Sequence, residues 1–464
     1  MSKASFKGNF TFIDLFSGIG GFHHALGGKE FGGECVWAVD IDKDCHKVYE
    51  STWPEMSGRM DFDIREFTTD VNGKDLSPSQ IAKKVPDHDV LCAGFPCQPF
   101  SKSGMQLGVM DSTRGTLFFD IAKIIQAKKP KFLILENVRN LAGPRHAHTW
   151  TTIIKTLREL GYRVSDQPVV FSPHLLPPQL GGRPQVRERV FILATLVKKN
   201  EYLEEEPLVR HAAVNEWNIH SWNIEDFLID DKDIPNLSDY KLRIEEKAWL
   251  DAWQAFIQGI PDDDLPGFPI WVDAFRKKPK LDAETPKWKA EFLIKNSDFY
   301  NKHSEFINDW LSKSWIKGTP YRVADFPASR RKFEWQARLA QPKAKQRNIW
   351  KLTIHFRPSG VRVKPATYLP ALVAITQTSI IGSRKRRITP IEAARLQGMP
   401  DWIFSKAEIE DAAAYKQAGN AVNVGVVKFV AAQLFNNSGL SWGKSLVVDT
   451  NTLNAVNIED SDED

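Results

Sequence analysis

The stretch FTFIDLFSGIGGFHHAL, residues 10–26, joins an apolar run to a glycine-rich turn and then to a helical pattern. Aromatic and β-branched residues at 10–16 suit a buried strand. Gly18, Gly20 and Gly21 let the backbone turn sharply and pass close to a ligand. The helix that follows offers free N–H groups at its start. Phe16 stands where a dinucleotide-binding fingerprint would have its first glycine, so the spacing argues against a bound pyrophosphate.

The same alternation continues outward from that unit. Residues 35–40 (CVWAVD), 89–93 (DVLCA), 132–136 (FLILE) and 190–195 (VFILAT) are short apolar runs, with helical patterns at 116–127 and 149–160. Strands that alternate with helices predict a parallel sheet covered on both faces, a doubly wound α/β domain. Ligands in such sheets sit at the carboxyl ends of the strands.

From residue 196 the regularity stops. Ten of the fifteen tryptophans lie between Trp217 and Trp350, and helical patterns return at 389–396 and 422–434. The expected organisation is a first domain at 1–195, a second at 196–383 and a return to the first at 384–436. A tail at 437–464 ends in the acidic NIEDSDED, expected to be disordered.

The chain has 464 residues, 42% of them hydrophobic, which supports a substantial core. Residues 1–12 lack the apolar segment of a secretory signal, and no run approaches the roughly 20 apolar residues that span a bilayer. Four unevenly spaced cysteines make no disulfide framework and predict a reducing, cytoplasmic setting. The net charge of +4 hides an asymmetry: residues 201–266 carry 17 acids against 5 bases, and residues 330–387 carry 15 bases against Glu334 alone. Two solvated faces would account for this, as would a basic surface for a polyanion with the acidic part facing away.

Several side chains stand where chemistry is expected. Asp40 follows the second strand, where it either accepts from ribose hydroxyls or caps the next helix. Asp63, in FDIRE (62–66), repeats the arrangement and could accept from an adenine amino group. This set suits a nucleoside without phosphates, such as S-adenosylmethionine. Cys97 lies between Pro96 and Pro99, residues one position either side of Cys97–Gln98, in a stiff loop. Cys92 is near, but no second Cys/His pair stands at zinc spacing, so no metal is expected.

DLFSGIGG (14–21), GFPCQPFSKSG (94–104), DSTRGTLFF (111–119), ENV (136–138), QVRER (185–189), RRITPIEAARLQGMP (386–400) and QAGNAV (417–422) together resemble, in order, the motifs of the DNA (cytosine-5) methyltransferase family. The resemblance covers about 1–195 and 384–436. It implies a Rossmann-like, S-adenosylmethionine-dependent methyltransferase domain with a second, smaller DNA target recognition domain.

It also implies roles. Cys97 matches the nucleophile that adds to carbon-6 of a flipped cytosine. Glu136 matches the acid that bonds N3 and the exocyclic amine. Of Arg187 and Arg189, Arg189 is the better candidate for the O2 charge, and Arg187 could instead position the catalytic loop or a phosphate. Phe16, Gly18, Ile19, Gly21, Asp40, Ile41, Asp63, Ile64, Pro96, Leu117, Asn420 and Ala421 match cofactor-side positions. Residues 101–114 match a mobile lid, and Glu392 and Arg395 are expected in internal pairs.

The basic stretch 330–387, including HFRPSGVRVKPATY (355–368), is expected to meet double-stranded DNA. The acidic, Trp-rich part at 201–320 is expected to be a packed insertion. The resulting expectation is a monomeric modification enzyme functionally linked to a cognate restriction endonuclease in a bacterial cytosol, with no membrane association. A catalytically silent DNA-binding protein of this fold and an RNA cytosine-5 methyltransferase are the alternatives. Intact Cys97, Glu136, Arg187 and Arg189 argue against the first, and the large second domain argues against the second.

Overall fold

A computed structural model describes residues 10–96, 117–197, 217–372 and 378–437. The described residues fall into two compact units, those within 1–222, 370–374 and 393–464, and those within 223–369 and 375–392.

The first unit opens with β1 (Thr11–Leu15), α1 (Gly21–Leu26), β2 (Glu34–Val39), α2 (Lys43–Thr52), β3 (Met60–Asp61), α3 (Arg65–Thr68) and α4 (Pro78–Lys84). It continues through β4 (Val90–Gly94), α5 (Leu117–Lys128), β5 (Phe132–Val138), α6 (Ala147–Glu159), β6 (Tyr162–Val164), β7 (Val169–Phe171), β8 (Gln185–Val186) and β9 (Arg189–Leu196). α7 (Asp411–Asn420) and α8 (Val424–Asn437) complete it. The sheet order is β3-β2-β1-β4-β5-β9-β6, with β7 also on β9.

Side-chain parity explains why helices cover both faces. Phe12, Val90, Cys92, Phe132 and Ile134 join the core shared with α1 and α8. Their neighbours Ile13, Leu91, Ala93, Leu133 and Leu135 join the core shared with α4, α5 and α6. Successive residues point to opposite faces, so strands apolar at every position must be buried twice.

β3, β2, β1, β4 and β5 are parallel, but β9 runs antiparallel to β5. The parallel sheet expected from the alternation is present, and the run 190–195, expected as one of its strands, joins it antiparallel. The run 190–195 is buried on both faces either way, so its composition carries no sign of its direction.

Residues 411–436 are long and apolar enough, by length and composition, to cross a membrane, and 83% of their most apolar window is buried in the protein. α8 is core: Val426, Val427, Val430 and Leu434 pack beneath the sheet.

The second unit has its own sheet, ordered Ile270–Trp271, Lys332–Trp335, Gly360–Lys364, Thr353–Arg357, Ile380–Ile381, Arg386–Arg387. The helix Ile244–Gly259 carries Trp249, Trp253 and Phe256 into its core. Trp253 stacks on Phe333 at 4.7 Å between ring centroids and lies 5.2 Å from Trp310. Much of the tryptophan concentration is therefore packing.

Charge in this unit is closed inward. Arg386, fully buried, donates to Asp231 at 2.8 Å and to both Glu392 oxygens at 2.9 Å. Arg387 pairs with buried Glu246 at 2.6 Å, and Arg384 with Glu225 at 3.0 Å. Part of the acidic run thus neutralises part of the basic run, which corrects the picture of an acidic side facing away. The expected internal pairs are Glu392 with Arg386 in this unit and, in the first unit, Arg395 with Asp401 at 2.5 Å.

Candidate functional site

The carboxyl ends of the parallel strands border one cavity of about 640 Å³ in the first unit. At the end of β1 the backbone of Phe16 takes a left-handed φ of 57°. That region costs a bulky residue about 1–3 kcal/mol and is held only where surroundings enforce it. Phe16 lines the cavity, as does Gly18, itself at φ 54°.

Asp40 follows β2. Its two oxygens accept from the Gly18 N–H at 2.8 Å and the Asp42 N–H at 2.9 Å. About four acceptor positions exist on a carboxylate, so two remain for ligand hydroxyls. Burial pushes this carboxyl up, and the two N–H groups hold it down. Beside it, the Ile41 side chain is 72% exposed and lines the cavity, an apolar face left open.

Asp63 also lines the cavity, with its carboxylate already gripped by Arg65: Nε donates at 3.0 and 3.1 Å, and Nη2 at 2.6 Å. Those bonds hold its pKa below the usual range. Ile64, Pro96 and Leu117 complete this wall. Phe62, stacked on His46 at 3.9 Å, borders the cavity too.

At the other end stand Glu136, Arg187 and Arg189. The register of β5 on β9 sets Val138 opposite Arg189 and Glu136 opposite Phe191. Glu136 and Arg189 are therefore diagonal neighbours on one face, and Arg189 Nε lies 3.0 Å from Glu136 Oε1. Burial pushes the Glu136 carboxyl up, while Arg189 and then Arg187 pull it down. Asn137 donates to the Phe95 carbonyl at 2.8 Å, which ties β5 to the segment leading into Pro96.

Arg187 is spent differently. Buried, it donates to the carbonyls of Gly419 at 2.8 Å and Ala421 at 2.7 Å, clasping the carboxyl end of α7. Burial lowers its pKa to about 9. Gln185 of the same motif is buried and accepts from Gln397 at 2.7 Å.

α7 supplies the remaining wall through Lys416, Gln417, Gly419 and Asn420, with Lys416 paired to Asp42 at 2.7 Å. Three of the expected cofactor-side residues do not line the cavity. Ile19 is in the core, and Ala421 is buried with its carbonyl taken by Arg187. Gly21 is pressed against the main chain, where a Cβ would lie 2.5 Å from the Val422 carbonyl oxygen.

Cys97 and the expected lid at 101–114 lie outside the described residues, as does the acidic tail. The other cysteines, Cys35, Cys45 and Cys92, are buried, and burial pushes each thiol far up. None of the three is ready to ionise near neutral pH. Sequence reasoning assigned no role to Asn137, Lys416 or Gln417, although the quoted motifs contain Asn137 and Gln417.

In the second unit, the hairpin of Thr353–Arg357 and Gly360–Lys364 pairs His355 with Arg362 and Thr353 with Lys364. One hairpin face thus carries His355, Arg357, Arg362 and Lys364. Arg362 is held by Glu334 at 2.7 Å. Burial lowers the pKa values of Arg357 and Lys364, and neighbouring cations lower them further.

Residues 10–436 match the family described as C-5 cytosine-specific DNA methylase. The chain is 41% identical to Type II methyltransferase M.AluI of Cellulosimicrobium cellulans, over 93% of its own length and 92% of that protein. It is 30% identical to Type II methyltransferase M.BanI of Aneurinibacillus aneurinilyticus, over 92% and 96% of the two lengths. Among solved structures, the S. pombe Dnmt2 methyltransferase superposes with a TM-score of 0.47 at 17% identity, covering 93% of this chain and 100% of that one.

Proposed function

Because the chain belongs to the C-5 cytosine-specific DNA methylase family and is a DNA (cytosine-5) methyltransferase, we propose that it takes S-adenosylmethionine and a flipped cytosine into the one cavity and works through a covalent Cys97 adduct. The observation that carries the reading is the Glu136–Arg189 pair at one end of a cavity whose other end holds Asp40 and Asp63.

The residues fit a nucleoside cofactor. Asp40 keeps two acceptor positions for ribose hydroxyls, and Ile41 offers an open apolar face. Asp63 keeps its charge through Arg65 and can accept from an amino group. When bound, S-adenosylmethionine supplies an electrophilic methyl group on a sulfonium.

The protein must activate a poor nucleophile, carbon-5 of cytosine. The Cys97 thiolate adds to carbon-6, and electron density moves toward N3 and O2. Arg189 donates to O2 and stabilises that charge. In doing so it turns from Glu136, which loses its nearest counterion in a buried place. The carboxyl is then favoured in its protonated form, donates a hydrogen bond to N3, and passes the proton over as the addition at carbon-6 builds negative charge on the ring. Arg187 positions the segment 419–421 and does not meet the base. Asn137 fixes the start of the Cys97 loop through the Phe95 carbonyl.

The second unit would read a specific DNA sequence, with Arg357 and Lys364 meeting phosphates. The biological role would be protection of host DNA from a cognate endonuclease.

Bisulfite sequencing of DNA from cells expressing the protein tests the reading. Protected cytosines are expected in one sequence context, and none are expected with Cys97→Ala. Undiminished protection by that variant would remove the covalent mechanism.

A further inference from the structure

The face that carries Arg357, Arg362 and Lys364 continues past the hairpin to the edge of the second unit's sheet. Arg362 faces Glu334, Trp271 faces Lys332, and Lys332 and Glu334 alternate onto one side of their strand. Trp271 on the edge strand therefore shares that face, two strands or about 10 Å from Gly360–Lys364. A row of side chains leads outward from there. Lys332 Nζ lies 5.4 Å from the centre of the Trp271 ring, Trp271 lies 5.4 Å from Phe292, and Phe292 lies 6.5 Å from Trp288. Lys295 Nζ stands 6.0 Å from the Phe292 ring. Trp288, at the start of the helix Lys287–Lys302, is 59% exposed.

Two features separate this row from packing. Trp253 and Trp310 spend their indole N–H groups on the carbonyls of Arg330 and Ala252, whereas those of Trp271 and Trp288 meet no acceptor among the described residues. The charge is also left open. Residues 276–295, which hold the outer part of the row, carry seven bases against three acids. Their lysines and Lys332 enter no salt bridge among the described residues.

Exposed rings mark an interaction surface, and unpaired lysines select a polyanion for it. A sugar–phosphate backbone answers both, with phosphates for the lysines and indole N–H groups and deoxyribose for the ring faces. Continuity with the hairpin face favours this over an acidic protein. This segment lies in the part that composition alone assigned to a packed insertion.

We propose that Lys332, Trp271, Phe292, Lys295 and Trp288 form a second DNA contact, gripping the duplex backbone about three base-pair steps to one side of the sequence met by the hairpin. This rests on the reading of the hairpin face as a DNA surface.

Hydroxyl-radical footprinting and salt-dependent binding test it, with the full chain and a 40-base-pair duplex centred on the context that bisulfite sequencing identifies. The parent should protect that context and a separate patch of sugars on one side. The double variant Lys295→Gln, Lys332→Gln should lose the side patch alone and lower the slope of log K against log salt by about 2. Trp288→Ser should lose the same patch and weaken binding about three- to tenfold, with the slope unchanged. Lys247→Gln, on the helix packed against the opposite face of the sheet, should alter neither footprint nor slope.

Parent-like footprints and slopes in both row variants would overturn the proposal, as would loss of protection at the context together with the side patch. An effect of Lys247→Gln equal to that of one row lysine would also overturn it, since general charge would then suffice. A parent chain that binds no duplex would sink the DNA reading of the hairpin as well.

Discussion

Both units bury charge, but they finish it differently. In the second unit Arg386 is closed on Asp231 and Glu392, and Glu246 on Arg387, with donors and acceptors facing each other. In the first unit Glu136, Arg189, Asp40 and Gln417 border a cavity; Asp40 accepts only two bonds of about four, and neither polar atom of the Gln417 amide is bonded. Closed sets hold a fold together, whereas open sets are prepared for a ligand. Burial or ionic pairing alone does not separate the two cases.

Removing one member from each set should have opposite consequences. Glu136→Gln keeps the shape but loses the proton and the charge, and should cut turnover by about 10²–10⁴-fold, the range for one general acid. Its thermal midpoint should shift little. Arg386→Met leaves the buried Glu392 without its cation, while the half-buried Asp231 keeps Lys241 at 3.0 Å, and should cost about 3–5 kcal/mol of stability by urea unfolding. Single-turnover methylation by the folded fraction should survive. Exchange of these two outcomes would show that the Glu136 pair is structural and that the distinction fails.

How far these sets were readable in the sequence follows from what each depends on. Strand positions were legible because apolar runs bounded by turns carry their own signal. The direction of β9 was not, since a doubly buried run looks the same either way. Glu136 and Arg189 were visible through ENV and QVRER, but their diagonal contact is a matter of register. The charge runs misled in part: net charge by segment is a local sum, whereas Asp231 meets Arg386 across 155 residues. Gln417 stood inside a quoted motif, yet its want of a partner exists only in the folded chain.

Acid offers a gentler test, because buried neutral histidines are unevenly divided. Burial lowers His23 to about 3 and His24, His88 and His174 to about 4 in the first unit. In the second unit burial lowers His355 to about 3. These groups are neutral when folded and take a proton when unfolded, so their contribution is intact above about pH 6.5 and lost as pH falls toward the folded values. Each well-buried histidine should cost about 1.4 kcal/mol per pH unit in that window. Hydrogen exchange between pH 6.5 and 4.5 should therefore rise more steeply in peptides of the first unit. A steeper rise in the second would mean that its carboxylates govern acid lability.

On the DNA side the two kinds of charge should differ in salt dependence. If closed charges are structural, then among the many bases of 330–387 only those without a protein counterion should count toward DNA. Lys364→Ala and Arg357→Ala should each lower the slope of log K against log salt by about 1, with similar loss on any duplex sequence. Arg384→Ala, whose charge is already met by Glu225 at 3.0 Å, should leave the slope unchanged. Arg362 falls between them, because Glu334 holds it at 2.7 Å while it shares the hairpin face with Arg357 and Lys364, which form no salt bridge among the described residues. Its removal would also release Glu334 as a new negative charge beside the DNA. Arg362→Ala should consequently weaken binding, and the double change with Glu334→Gln should restore much of the loss. An Arg384 variant that alters the slope as much as Lys364→Ala would show that pairing inside the protein does not withdraw a charge from the DNA surface.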